Sequence, residues 1–161
     1  MIYDEVTQDR TEAGSGNCTE ATIASILRVP LVSVPDLWTG SFEEPRSDER
    51  WLALHAWLKK QGKKIAYIEY KNTYPRLIYP EVYGELQDVV RVDRPHGVAG
   101  ISPNGVPHYC VGLNGKVVWD PNPSRKGLAQ YNGLLFIIDN DKLYEHMQSW
   151  PTVSMVWGPE A

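Results

Sequence analysis

Four residues whose types suit acyl chemistry stand at separated points of this sequence: Gln8, Cys18, His108 and Asp120. Cysteine offers a thiolate nucleophile, histidine a base and acid near neutral pH, and aspartate a charge that orients the imidazole. Glutamine offers an amide N–H to a developing oxyanion. The strongest local logic lies in GSGNCTEATIASIL, residues 14–27. Gly14, Ser15 and Gly16 are a turn-prone lead-in. Asn17 is a favoured N-cap residue with Glu20 three residues on. In that capping-box pattern Asn17 accepts from a first-turn N–H while Glu20 reaches back to the cap. Ala21, Ile23, Ala24, Ile26 and Leu27 then continue a buried helix until Val29-Pro30 stops it. Cys18 is therefore predicted at the first helical position. There the unpaired N–H groups and the positive end of the dipole favour a thiolate and offer donors to an oxyanion. The plainer alternative is packing, because free cysteine is among the most buried residue types.

His108 and Asp120 flank a predicted hairpin, HYCVGLNGKVVWD, and their relation depends on its loop. A two-residue Asn114-Gly115 loop sets Leu113 opposite Lys116, which leaves Asp120 on the face away from His108. A three-residue loop, Leu113-Asn114-Gly115 with Gly115 left-handed, sets His108 directly opposite Asp120 on a shared face. The chemistry needs the second register, and the sequence permits both. Each residue also has a plainer role: His108 as a strand residue satisfied by a carbonyl, Asp120 as an Asx turn before Pro121, Gln8 as a solvated side chain.

Around these residues the elements fall in an order that would position them. Met1 to Ala13 is a charged lead segment with a short strand at its start. Ser33-Val34-Pro35 predicts an N-cap and a short helix to Trp38. Residues 39–46 form a loop. Ser47 to Gln61 is the clearest helix: Ser47 caps it, Trp51, Leu54, His55 and Leu58 recur at helical spacing, and Gly62 closes it. His55 on that apolar stripe is expected to be a satisfied core histidine. Lys64 to Tyr70 alternates as a strand. Residues 71–96 carry three Xaa-Pro breaks, with a short helix in EVYGELQDVV. Strands follow at Val98–Ser102, His108–Leu113, Lys116–Trp119 and Leu134–Asp139, then a helix over Asn140–Ser149 and a last strand over Val153–Trp157. A helical first half followed by an antiparallel sheet is an α+β arrangement in one domain spanning residues 1–161.

Composition excludes several classes. At 161 residues, 42% hydrophobic and 22% charged, the chain suits a single globular domain with a full core. Its six Trp and nine Tyr suit a dense core or an aromatic-lined groove. A net charge of −4 leaves no basic stripe to neutralise phosphates, so no nucleic acid is expected as partner. The KKQGKK run, Lys59 to Lys64, suits a solvated helix end. Two cysteines, no apolar leader at the N-terminus and no run long enough for a membrane span point to a cytoplasmic protein. A single Cys18–Cys110 bridge would silence Cys18.

GNCTEATIASILRVPLVSVPDLW together with HYCVGLNGKVVWDPNPSRKGL resembles the small papain-like cysteine hydrolases frequently encoded by bacteriophages. These are distantly similar to the bacteriocin-processing, double-glycine-leader peptidases. The resemblance covers both ends of the chain and leaves the middle unassigned. It implies a papain-like fold in which a helical part carrying Cys18 packs on a sheet carrying His108 and Asp120. By position it implies Cys18 as nucleophile, His108 as general base and acid, Asp120 as orienter and Gln8 as oxyanion donor. It also implies a protein or peptide substrate, no cofactor or metal, and a phage protein in the host cytoplasm with a possible host-protein target. Two departures stand out. Gln8 lies ten residues before Cys18, farther than in the papain pattern, so a longer loop must bring it back. Tyr109 and Cys110 replace small aliphatics, and under strict alternation Cys110 shares the His108 face. Three other classes use the same residues. A papain-like shell could bind a partner without catalysis, and an acyltransferase or transglutaminase-like enzyme would use the same triad. A metal site could use Cys18, His108, Cys110 and Asp120, although these lack the close ligand pairs of structural zinc motifs.

Overall fold

The computed structural model describes residues 2–69, 94–148 and 153–154. The expectations for residues 71–93, including the EVYGELQDVV helix, and for most of the tail lie outside the described residues. Helix α1 spans Cys18–Leu27 and buries Ala21, Ile23 and Ala24 completely, as the apolar run demands. It stops where Arg28 turns left-handed at φ 58°, just ahead of Pro30. The expected capping box does not form. Asn17 sits at the cap position but makes no side-chain hydrogen bond to the helix, and the Glu20 carboxylate instead accepts from Leu37 N at 3.2 Å.

The short helix predicted from Ser33 to Trp38 is absent. A 3₁₀ turn at Leu31–Ser33 takes its place. Beyond it the backbone donors find side chains, Leu37 N on Glu20 and Trp38 N on Asp36 Oδ1, and this removes the reason to close a helical turn. Helix α2, Asp48–Lys59, begins as expected with Ser47 Oγ accepting from Arg50 N at 3.3 Å. It buries Trp51, Leu54 and Leu58, leaves His55 half-buried, and ends before Gly62 at φ 72°. The lead segment over residues 2–13 is not a strand.

The strands are β1 (Lys64–Glu69), β2 (His96–Ile101), β3 (Pro107–Leu113), β4 (Lys116–Trp119), β5 (Gln130–Ile138) and β6 (Val153–Ser154), with helix α3 (Asp141–Gln148) before the last. β2 starts two residues ahead of the predicted boundary, and β5 starts four ahead. Together they make one antiparallel sheet in the order β4-β3-β2-β5-β1-β6. The α+β class holds. Both faces are covered. Ile65, Tyr67, Ala99 and Leu135 join residues of α1 and α2 in one core cluster. Ala66, Ile68, Val98, Leu134, Phe136 and Met147 of α3 form the other. Each such large apolar side chain contributes about 1.5–3 kcal/mol on burial. Among the described residues no helix is long and apolar enough to cross a membrane.

The β3–β4 hairpin follows neither predicted register. Its loop has two residues, with Asn114 at φ 53° and Gly115 at φ 77°, and it pairs Leu113 with Lys116 and Gly112 with Val117. The register then shifts, so that Val111 pairs with Trp119 and Val118 is the extra, bulged residue. Continued by one position, this pairing sets Asp120 opposite Cys110. A side chain that the plain two-residue register would send to the far face thus returns to the face of His108 and Cys110.

Candidate functional site

The α1 N-terminus, the start of β3 and the loop after β4 meet at one cleft. Gln8, Cys18, His108 and Asp120 all line it. The three remaining walls come from the 11–16 loop, the 102–107 turn and the 122–127 loop.

Cys18 opens α1 and is 8% exposed. With Asn17 withdrawn, no side chain caps the helix, so its first N–H groups are not taken by the cap residue. Asn17 is used elsewhere. Its Oδ1 accepts from Arg10 N at 3.1 Å, its own N donates to Arg10 O at 3.1 Å, and its Nδ2 donates to Asp9 Oδ1 at 2.6 Å. Gly16 N to Glu12 O at 2.8 Å and Arg10 Nε to Ser15 O at 3.0 Å close the same loop. Residues 9–17 thereby fold back on themselves and return Gln8 to the Cys18 end of the helix. This is the longer loop the spacing required.

Gln8 is 4% exposed. Its backbone N donates to Pro121 O at 2.9 Å, and its Nε2 donates to Arg10 O at 2.8 Å. An amide nitrogen carries two hydrogens, so one remains available. Two residues earlier, Trp119 Nε1 donates to Val6 O at 2.9 Å, while Val6 N donates to Ser25 Oγ of α1 at 3.2 Å. The lead segment thus ties α1 to the end of β4.

His108 Nε2 lies 2.6 Å from Asp120 Oδ1, with both side chains buried. Asp120 also accepts from Asn122 N at 2.8 Å and, on Oδ2, from Gly127 N at 2.7 Å. Asp120 stands one residue past β4, whose bounds Lys116–Trp119 are those the sequence suggested. Burial works against both charges. For Asp120, the bonds from His108, Asn122 and Gly127 outweigh it and hold the carboxyl below its usual range. For His108, the hydrogen bond to Asp120, those to the Cys110 and Cys18 thiols, and the Cys18 charge outweigh it and carry the imidazole well above its usual value. The pair is an ion pair. Cys110 is fully buried, and burial pushes its thiol up despite the hydrogen bond to His108. Both cysteines are free, so the bridge that would silence Cys18 is not formed.

One charged residue escaped the sequence reading and another was assigned a different role. Arg125 Nη1 donates to Asp120 O and Asn122 O, each at 2.8 Å, and its Nη2 donates to Thr7 Oγ1 at 2.8 Å. Its guanidinium lies 4.0 Å from the centre of the Trp119 ring. It pins the Asp120 loop to the segment that carries Gln8. An arginine inside a Pro- and Gly-punctuated loop next to a catalytic-type aspartate was the available clue. Glu20, taken for a cap, is 2% exposed. Burial raises its carboxyl from 4.5 to about 7, against the lowering effect of Arg46 and two backbone N–H groups. His55 on α2 does not line the cleft.

Of the four residues considered for metal binding, His108, Cys110 and Asp120 each place one donor atom within 4.8 Å of the other two. No family model, curated protein or solved structure matches this chain.

Proposed function

We propose that this protein is a papain-like cysteine hydrolase, of thiol peptidase, isopeptidase or amidase type, acting through an acyl-enzyme thioester. The observation that carries the reading is the 2.6 Å bond between His108 Nε2 and Asp120 Oδ1. The same imidazole lines a cleft shared with a cysteine that opens a helix. With Nε2 committed to Asp120, Nδ1 is the nitrogen left to exchange a proton with Cys18.

The Cys18 thiolate attacks the substrate carbonyl carbon, and the carbonyl oxygen becomes an oxyanion. The Cys18 N–H and the free hydrogen of Gln8 Nε2 hold that oxygen. Imidazolium His108 gives its proton to the leaving nitrogen as the C–N bond breaks, and a thioester remains. Neutral His108 then takes a proton from water, whose oxygen attacks the thioester and frees the Cys18 thiolate and the acid product. Asp120 holds the imidazole and stabilises its charged form in both steps. A cleft walled by three loops at the end of a sheet suits an extended segment of protein or peptide as substrate.

The test is the pH dependence of Cys18 alkylation by iodoacetamide, followed by peptide mass spectrometry in wild type, His108→Ala and Cys110→Ser. Reaction in mildly acidic buffer, lost in His108→Ala and kept in Cys110→Ser, is the expected result. A Cys18 that stays inert, or that reacts alike in all three proteins, overturns the reading and leaves the cleft as a binding surface. Product analysis with an added amine then separates hydrolysis from acyl transfer.

A further inference from the structure

Cys110 has no task in that reaction, yet it is fully buried and shares the face of β3 that carries His108. Donor atoms of His108, Cys110 and Asp120 lie within 4.8 Å of one another, and Cys18 lines the cleft that His108 and Asp120 share. We propose that His108, Cys110 and Asp120 form a binding site for a thiophilic divalent cation of the zinc class, and that an occupied site takes the imidazole away from Cys18.

The donor set decides the class of ion. A thiolate with one imidazole and one carboxylate selects zinc-like cations over calcium or magnesium, which take oxygen ligands. Three such donors suit a tetrahedral ion with its fourth position open. Zinc–ligand distances of about 2.0–2.3 Å place neighbouring donors about 3.3–3.8 Å apart. The three donors already lie within 4.8 Å of one another, and His108 Nε2 and Asp120 Oδ1, at 2.6 Å, would have to part slightly if both held the ion. The sequence argued against metal because these ligands lack close spacing. In the fold His108 and Cys110 come from a strand and Asp120 from a loop, and the tertiary structure replaces the spacing.

Asp120 arrives already held, with Oδ2 on Gly127 N, and this is the outer-shell support that orients a metal-binding carboxylate. The ion has a route, since the cleft reaches Cys18, His108 and Asp120. It replaces the imidazolium proton and any thiol protons, so its binding releases protons and strengthens as pH rises. Because His108 becomes a ligand and can no longer take the Cys18 proton, the ion competes with alkylation and with turnover. The site stands on the donor geometry and does not depend on the chain being a hydrolase.

The experiment is zinc titration of the reduced full-length protein by calorimetry, with cobalt(II) absorption as a second measurement. One zinc per chain at micromolar affinity or tighter is expected, with protection of Cys18 from iodoacetamide. Cys110→Ala should weaken binding by at least about 10–100-fold. No uptake, equal affinity in a folded Cys110→Ala, or Cys18 alkylation unaffected by bound zinc overturns the proposal. Should that variant fail to fold, cobalt in the wild type decides. Thiolate-to-cobalt charge transfer with strong tetrahedral bands supports the site, and a weak octahedral spectrum without charge transfer overturns it. Metal bound by a chain whose Cys18 is inert without metal would sink the hydrolase reading and leave this one standing.

Discussion

His96 and His108 occupy neighbouring strands, both buried, and the protein drives them in opposite directions. His96 Nδ1 donates to Arg94 O at 3.1 Å, and its Nε2 accepts from Gly115 N at 3.2 Å. Both nitrogens are satisfied by neutral groups, and the ring packs 5.2 Å from Phe136. Burial then lowers it from 6.5 to about 4, so it stays uncharged. His108 meets a carboxylate and two thiols, and the same burial is outweighed. Desolvation is common to the two histidines, and the partner decides the charge. One histidine clamps the β3–β4 turn to β2, and the other is held by Asp120 at the cleft.

The sharpest test of this contrast is His108→Ala against His96→Ala. With a substrate in hand, His108→Ala should lower kcat/KM by about 10²–10⁴-fold with a small change in urea stability. His96→Ala should do the reverse. It leaves Gly115 N–H buried without its acceptor and opens space beside Phe136, for a loss of about 2–4 kcal/mol in urea denaturation. Cys18 alkylation should persist in the folded fraction. A His96→Ala protein of normal stability and lost alkylation would erase the distinction.

The pH dependence of stability comes next in size. Between 4 and 6.5 the unfolded chain holds a proton on His96 that the folded chain rejects, so this residue removes stability as pH falls through that window. Glu20 acts oppositely. The folded chain keeps its proton up to about 7 while the unfolded chain releases it near 4.5, so Glu20 removes stability as pH rises. At about 1.4 kcal/mol per pH unit, each effect reaches roughly 3 kcal/mol and the two nearly cancel. Wild type should be nearly flat between pH 5 and about 6.5. Glu20→Gln should gain stability with rising pH, and His96→Phe should lose it. The His108–Asp120 pair stays out of this window. Asp120 loses its contribution only as pH falls through a value below 3.8, and His108 only as pH rises through a value far above 6.5.

The smallest expected effect belongs to Arg125→Ala. Its side chain is exposed, so the stability loss should be about 1 kcal/mol. Cys18 alkylation should slow severalfold, because the Asp120 loop and the Gln8 segment lose their common tie. Arg125→Lys should recover only part, since one ammonium cannot serve three acceptors and a ring face.

Local rules carried most of the fold. Ser47 and Gly62 bound α2, the apolar run of Ala21 to Leu27 specified α1, and Asn114-Gly115 marked the hairpin. Where the sequence misled, a distant partner had outbid a near one. Asn17 and Glu20 have the right types and spacing for a capping box, but Arg10, Asp9 and Leu37 claim them. The Ser33–Trp38 helix fails for the same reason. The site was legible in its residue types and order. The Val118 bulge, which decides whether Asp120 reaches His108, leaves no mark in composition, since Val117 and Val118 are equally good strand residues.

That bulge makes the site sensitive to parity. Strand side chains alternate, so the count of residues between the hairpin turn and Asp120 matters as odd or even before it matters as length. Deleting Val118 takes out the extra residue itself, a 41% exposed side chain, and leaves Trp119 opposite Val111 and Asp120 opposite Cys110, so the carboxylate keeps its side. Lengthening the strand by two residues displaces Asp120 along the sheet but keeps its side. A one-residue insertion before Asp120, by contrast, reverses its side with a small footprint on stability, a form of change that substitution scanning would never sample.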